Sequence, residues 1–268
     1  MTMKRMVGRL SAFVWIVSLL SSATAVGGSP AYRGNPRTVT LSEVQRAFYQ
    51  AAFEQEVLRT YTAAQLALTG LRPDVYRQAL LGYYNLQNHG SAAAGASLTI
   101  IDFDLPSRQK RLWVIDVRQN RLLHHTLVAH GKNTGEDVAR TFSNRNGSEM
   151  SSLGFYVTGQ PYTGKHGLSL KLHGMDEAYN SRAAERAVVV HGADYVSEQF
   201  VRQHGRLGRS QGCPALPVAE APRVIRTLKA GSVVFAHAPQ HVTYSSSWLG
   251  MDSALASFAR IKGLQVAG

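Results

Sequence analysis

A chain of 268 residues, 44% of them hydrophobic, can bury a sizeable core, and with one cysteine it has no internal disulfide to lean on. Its 29 Lys and Arg against 17 Asp and Glu set a net charge of +12. So basic a chain favours an anionic partner: nucleic acid, a membrane face or an acidic wall polymer.

The first residues narrow that choice. Residues 1–9 are basic through Lys4, Arg5 and Arg9, residues 10–20 are apolar, and Ala23-Thr24-Ala25 fits a small-residue cleavage site. This is the layout of a secretory signal peptide over 1–25, and its apolar run is well short of the ~20 residues of a membrane span. An exported protein is therefore expected, with no stable membrane span after cleavage and no nucleic-acid partner. In an exported chain a lone cysteine is either a buried inert thiol or a reactive group.

Residues 26–40, with Gly27, Gly28, Pro30 and Pro36, read as a linker. From 41 to 68, Val44, Phe48, Ala51, Ala52 and Leu58 recur at helical spacing, with Ser42 or Thr40 available as a cap and Gly70 as the stop. A second helix is expected from Pro73-Asp74 through Val75, Leu80, Leu81 and Tyr84, with His89 as its C-terminal cap before Gly90. The small residues of 90–95 then separate a helical segment, 41–95, from a body, 96–268, whose pattern is strand-like. Short β-rich runs occupy 98–103, 112–117, 122–129, 154–159, 168–172, 187–191 and 232–237. Helices are expected at 218–229 and 253–262, with Gly231 and Gly263 where helix ends want a left-handed residue. The fold class is mainly β with α elements, preceded by a helical segment.

The body also holds the chemistry. Cys213 follows Gly212, and His191 ends an apolar β-branched run twenty-two positions upstream. A thiol attacks a carbonyl as a thiolate, and an imidazolium or other cation nearby lowers its pKa from ~8.5. Main-chain amides at Gly212 and Cys213 could donate to an oxyanion. Arg209 and Ser210 add positive potential and a donor. Other residues carry plainer readings. His130-Gly131 imitates His191-Gly192 but no cysteine follows it, so a turn at a strand end is expected. His166 and His173 lie in a region that could line or cover a cleft, Tyr162 and Tyr195 could touch substrate or pack, and Asn146-Gly147 is first of all a turn. One Cys and scattered His lack the spacing of a zinc site.

The runs RAVVVHGADYV (186–196) and GRSQGCPAL (208–216) resemble the signature of the YkuD-like L,D-transpeptidase superfamily, a strand-end His-Gly followed after a loop by Ser-x-Gly-Cys. The chain is most similar to the murein L,D-transpeptidase catalytic-domain branch of Gram-negative bacteria. RLWVIDV (111–117), LVAHGKNTG (127–135), SSLGFYVTG (151–159) and YTGKHGLSLKLHGMD (162–176) extend the likeness across 98–244. The resemblance implies a β-sandwich or mixed sheet and a periplasmic enzyme. It places the nucleophile on Cys213, the general base on His191, the carbonyl that orients the imidazole on Gly192, and the oxyanion donors on Gly212 and Cys213. It further implies a peptidoglycan tetrapeptide stem as substrate, release of D-alanine through a thioester, and transfer to an amine, whether a neighbouring diamino acid, a free D-amino acid or a lipoprotein lysine. No cofactor is implied. A carboxypeptidase using water, or a wall-binding protein without turnover, are the alternatives.

Two departures from that family matter. Gln211 stands where many members have histidine, and Pro214, Ala215 and Leu216 follow the cysteine where many place an arginine for a substrate carboxylate. Arg209 is the first candidate to take over that carboxylate, ahead of Arg182 and Arg223, with Ser210, Gln211 and Tyr162 as further substrate contacts. The interval from His191 to Cys213 is also longer than is usual in the family.

Overall fold

A computed structural model describes residues 38–266. The expected leader and nearly all of the expected linker therefore lie outside the described residues. In chain order the helices and strands are α1 (Glu43–Ala63), α2 (Pro73–His89), β1 (Leu98–Asp102), β2 (Leu112–Asp116), β3 (Arg121–Thr126), β4 (Gly154–Gly164), β5 (Gly167–Gly174), α3 (Glu177–Asn180), β6 (Val189–Ala193), α4 (Glu198–His204), β7 (Ala215–Pro217), α5 (Ala221–Leu228), β8 (Val233–His237) and α6 (Met251–Lys262). Every run expected to be a strand overlaps one. The short β7 and the helices α3 and α4 were not foreseen, because three residues at an edge or one or two turns of helix leave too little periodicity to read.

Helix α1 begins where Ser42 and Gln45 form a reciprocal capping box, the Ser42 Oγ accepting from the Gln45 amide at 3.2 Å and the Ser42 amide donating to Gln45 Oε1 at 3.1 Å. It stops earlier than the sequence suggests. Gln65 takes a left-handed φ of 53°, and a 3-10 turn, Leu66–Thr69, fills the interval before Gly70. The buried face also differs from the expected one. Tyr49, Phe53 and Val57 are in the core, whereas Val44, Phe48 and Leu58 face solvent at 67%, 45% and 67% exposure. Two apolar stripes share this helix, and the aromatic one wins because its rings find partners: Phe53 meets Tyr84 of α2 and Phe258 of α6 edge-on at 6.2 and 5.5 Å. Glu56 is buried on the same face and is paired with Arg59 and, at 2.6 Å, with Lys262. Helix α2 starts on Pro73 and ends on Gly90, whose φ is 84°. His89 is the last helical residue, bonded to Ser91 Oγ at 2.7 Å and packed on Trp248.

Among the described residues the strands form one mixed sheet in the order β3-β2-β1-β8-β4-β5-β6-β7, with β1·β8 and β6·β7 parallel and the other pairs antiparallel. Isolated bridges from Ala129 to Ala215 and from Gly131 to Ser210 bring the segment after β3 against β7, so the sheet nearly closes on itself. Alternation along the strands sends Leu98, Ile100, Trp113, Phe155 and Phe235 to one face, where they meet α1, α2 and α6. Val114, Tyr156, Leu170, Val190 and Val234 go to the other, under α5. The helical segment thus shares a core with the sheet. The parallel β6·β7 pair needs a crossover connection, and the long interval between them contains α4.

Candidate active site

Strand β6 carries His191 and Gly192, and in its pairing with β7 His191 lies opposite Ala215, two residues after Cys213. Both functional side chains open into one cleft of about 570 Å³, whose lining also includes Tyr162, Lys165, His166, Arg186, Tyr195, Arg209 and Gln211. Chain separation of twenty-two positions is thereby reduced to a strand and the loop that enters its neighbour.

The loop that presents Cys213 is fixed from within. The Ser210 amide donates to the His130 carbonyl at 2.9 Å and the Ser210 carbonyl accepts from the Lys132 amide at 2.8 Å. Its hydroxyl closes the turn, accepting from the Gly212 amide at 3.0 Å and donating to the Cys213 carbonyl at 2.6 Å. Two expectations change as a result. Ser210 has spent its one proton on the turn and has none for a substrate, and the Gly212 amide is engaged where an oxyanion donor would have to be free. The Cys213 amide donates to no protein acceptor among the described residues. Gly212 is required for its backbone: φ is 118°, and a Cβ there would lie 2.7 Å from the Met150 carbonyl oxygen.

Around the sulfur, the Val189 amide donates to Sγ at 3.5 Å, and Sγ donates to the Ala187 carbonyl at 3.7 Å. Ala187 sits in the left-handed region with φ 53°, which is why the strand expected at 187 starts at 189. Arg186 was not singled out from sequence. Its Nη1 donates to the Ser143 carbonyl at 2.6 Å and to Ser152 Oγ at 2.5 Å, and its Nη2 to the Met150 carbonyl at 2.5 Å. It therefore holds a positive charge beside the thiol while bracing the loop that packs on Gly212.

Electrostatics set the resting protonation states. Burial pushes the Cys213 thiol above its ordinary pKa, against smaller opposing effects of the Val189 amide, Arg186 and Lys165. Burial likewise holds His191 below the usual histidine range; the Gly192 carbonyl opposes this, while His166 and Lys165 add to it. Both shifts favour the neutral thiol and the neutral imidazole over a preformed thiolate–imidazolium pair. The His191 Nδ1 lies 3.0 Å from the Gly192 carbonyl oxygen, which requires the proton on Nδ1 and leaves Nε2 as the basic nitrogen.

The remaining candidates separate clearly. Tyr162 is half-exposed with Lys171 Nζ 5.7 Å from its ring centroid. Arg209 lines the cleft but its Nη1 is paired with Glu136 at 2.6 Å. Arg182 pairs with Glu185 on its own turn, and neither Arg182, Arg223 nor His173 is among the cleft-lining residues. His130 is a core residue: Arg111 Nη2 donates to its Nδ1 at 2.7 Å, its Nε2 donates to the Gly135 carbonyl at 3.2 Å, and burial first and Arg111 second push its pKa down to about 3. Lys165 was missed although Gly164 and Gly167 flank it as turn residues do. Among the described residues no carboxylate lines the cleft.

Comparison with known proteins gives a family. A family model described as the L,D-transpeptidase catalytic domain matches residues 67–237. No curated protein matches. Among solved structures, an L,D-transpeptidase from Mycobacterium smegmatis is 14% identical, with 53% of this chain and 58% of that one covered and a TM-score of 0.34. L,D-transpeptidase 3 from Mycobacterium tuberculosis is 10% identical over 53% of this chain and 61% of that one, TM-score 0.35. The helical cell shape determining protein Pgp2 from Campylobacter jejuni is 11% identical over 63% and 56%, TM-score 0.38. The chain spans less than two thirds of the length of each of these.

Proposed function

The chain belongs to the L,D-transpeptidase catalytic-domain family, and from that premise we propose that it is an exported cysteine acyltransferase acting on the tetrapeptide stems of peptidoglycan. The observation that carries this is the shared cleft of Cys213 and His191, with the imidazole tautomer set by Gly192.

Each step follows from the resting states. As Cys213 Sγ attacks the carbonyl of the third stem residue, His191 Nε2 takes the thiol proton, so that charge is created only when the S–C bond forms. The developing oxyanion is met by the Cys213 amide. Collapse of the tetrahedral intermediate breaks the amide bond, and the proton on His191 passes to the departing D-alanine amine, leaving a thioester on Cys213. An acceptor amine then attacks the thioester, gives its proton back to His191 and restores the thiol, which reprotonates from the same nitrogen.

A stem peptide carries free carboxylates, and the cleft meets them with Lys165, Arg186 and Arg209, with no carboxylate among the described lining residues. Arg209 is already paired with Glu136, and the Arg186 fork is filled by protein oxygens. Lys165 therefore replaces Arg209 as the first choice for the substrate carboxylate. The proposed acceptor is an amine such as that of a neighbouring diamino acid, whose use gives a cross-link. The proposed periplasmic location rests on the leader expected at 1–25 and on the proposed wall substrate; among the described residues no helix is long and apolar enough to cross a membrane.

Incubation of the purified protein with a disaccharide tetrapeptide, followed by mass spectrometry, tests the assignment. Loss of D-alanine with formation of a dimer is the expected result; loss without a dimer assigns water as the acceptor, and no loss at all removes the enzyme and leaves a wall-binding protein. Cys213→Ala abolishes every product. Turnover by that variant would end the thioester mechanism.

A further inference from the structure

The hairpin of β4 and β5 reaches across the site and ends on the base itself. Strand β5 is bonded to β6 with Ser169 opposite His191, and beyond Ser169 the two hairpin strands continue as an arm whose residues 160–163 are exposed on β4. Gly164 and Gly167 form the closing pair, so Lys165 and His166 are the two turn residues, and Gly167 supplies a φ of 72°. At this tip the His166 ring stacks on the His191 ring, centroids 4.5 Å apart and planes inclined by 29°.

Through its Nδ1, the His191 imidazole has one hydrogen-bonded anchor, the Gly192 carbonyl. A single hydrogen bond leaves a ring free to rock about it, whereas a second flat ring on its face restricts that motion. We propose that His166 is a positioning residue for His191, its ring clamping the face of the base so that Nε2 keeps one orientation in the cleft it shares with the thiol; this assignment rests on His191 being the general base. The two imidazoles also share a charge environment. Lys165 on the same turn, Arg186 before β6, Tyr195 after it, and Arg209 and Cys213 on the loop before β7 face the same cleft, and among these described lining residues no carboxylate offsets a proton on either ring. A proton on His166 therefore disfavours one on His191, in keeping with the direction in which His191 is already held.

Two variants separate clamping from charge. His166→Phe keeps a flat ring without a titrating nitrogen, and His166→Ala removes both. In the full chain, isotope-edited NMR of labelled histidine is expected to show the His191 titration midpoint moving up in both variants, because the neighbouring ring that helps to hold it down has gone. With tetrapeptide substrate, kcat is expected to fall about tenfold in His166→Ala with KM nearly unchanged, and to be largely recovered in His166→Phe, as befits loss and return of orientation. An unmoved His191 midpoint in both variants overturns the shared charge environment. A His166→Ala effect confined to KM overturns the positioning role and makes His166 a substrate contact. If the wild-type protein turns over no stem peptide, the acyltransferase assignment is what fails, and the order of the His191 ring, measured by the same NMR experiment in wild type and His166→Ala, still decides whether His166 clamps the ring.

Discussion

Single side chains at the thiol do work that residue type alone does not announce. Ser210 sits in a motif where a hydroxyl suggests a substrate donor, yet it is buried and its two hydrogen bonds tie Gly212 to Cys213. Ser210→Ala is expected to cost about 1–2 kcal/mol of stability, because the Gly212 amide and the Cys213 carbonyl lose a partner together. Urea denaturation checks the first effect, and a fall in kcat larger than any change in KM checks the loosened turn. Arg186 makes a second case. Since it pulls the thiol pKa down against the rise caused by burial, Arg186→Gln is expected to shift the pH dependence of Cys213 alkylation by iodoacetamide upward, and Arg186→Lys to reverse part of that shift. An alkylation profile that does not move in Arg186→Gln would show that the guanidinium only braces the loop.

His130 shows how a residue that imitates the base can be recognised as something else. Its folded pKa is pushed down to about 3, so between the ordinary histidine value of about 6.5 and that point the unfolded chain binds a proton that the folded chain refuses. Stability contributed this way is complete above about pH 6.5 and is lost as the pH falls, at up to about 1.4 kcal/mol per pH unit for a group in this position. His130→Gln can still accept from Arg111 and donate to Gly135, and its stability curve from about pH 7 to 5 is expected to be flatter than that of the wild type. Equal slopes in the two proteins, measured by thermal or urea unfolding, would refute the assignment.

At the scale of elements, α1 is the instructive case. Its capping box was legible, since Ser42 and Gln45 stand at the required spacing. Its buried face was not, because Val44, Phe48, Ala51 and Leu58 and the rival Tyr49, Phe53 and Val57 are both apolar stripes. Choosing between them needs the aromatic rings of α2 and α6, which lie 31 and 205 positions beyond Phe53. The choice can be measured. Phe53→Ala is expected to lose about 3–5 kcal/mol, as a ring fully removed from water does, while Phe48→Ala stays within about 0.5 kcal/mol. Similar losses from both would mean that Phe48 is also covered. The β4–β5 hairpin was read only as far as 159 and from 168, since Gly, Gln and Pro interrupt the alternation at 159–161, and there the pairing register shifts.

Across the whole molecule, the two faces of the sheet make one body of segments that the sequence divides at 90–95. The boundary is a real change of secondary structure, from α2 to β1, but Val75, Leu80 and Tyr84 share a core with Leu98, Trp113 and Phe235. Acid sensitivity is also a global property. His191 and His237 are held down by burial in the same direction as His130, while Asp102 and Asp176, pushed up by burial, act in the opposite sense.

By itself the sequence determined which groups are the candidates for the chemistry, where most strands and the main helices lie to within a few residues, and which family the chain belongs to, because those properties are written in residue type, in period-two or period-3.6 spacing and in short motifs. Only the tertiary structure decided that burial pushes the thiol pKa up and the imidazole pKa down, that Ser210 and the Gly212 amide are bonded within the turn, and that Arg186, Lys165 and His166 surround the site. Those outcomes depend on burial and on contacts between strands far apart in the chain, and neither quantity exists until the sheet has closed.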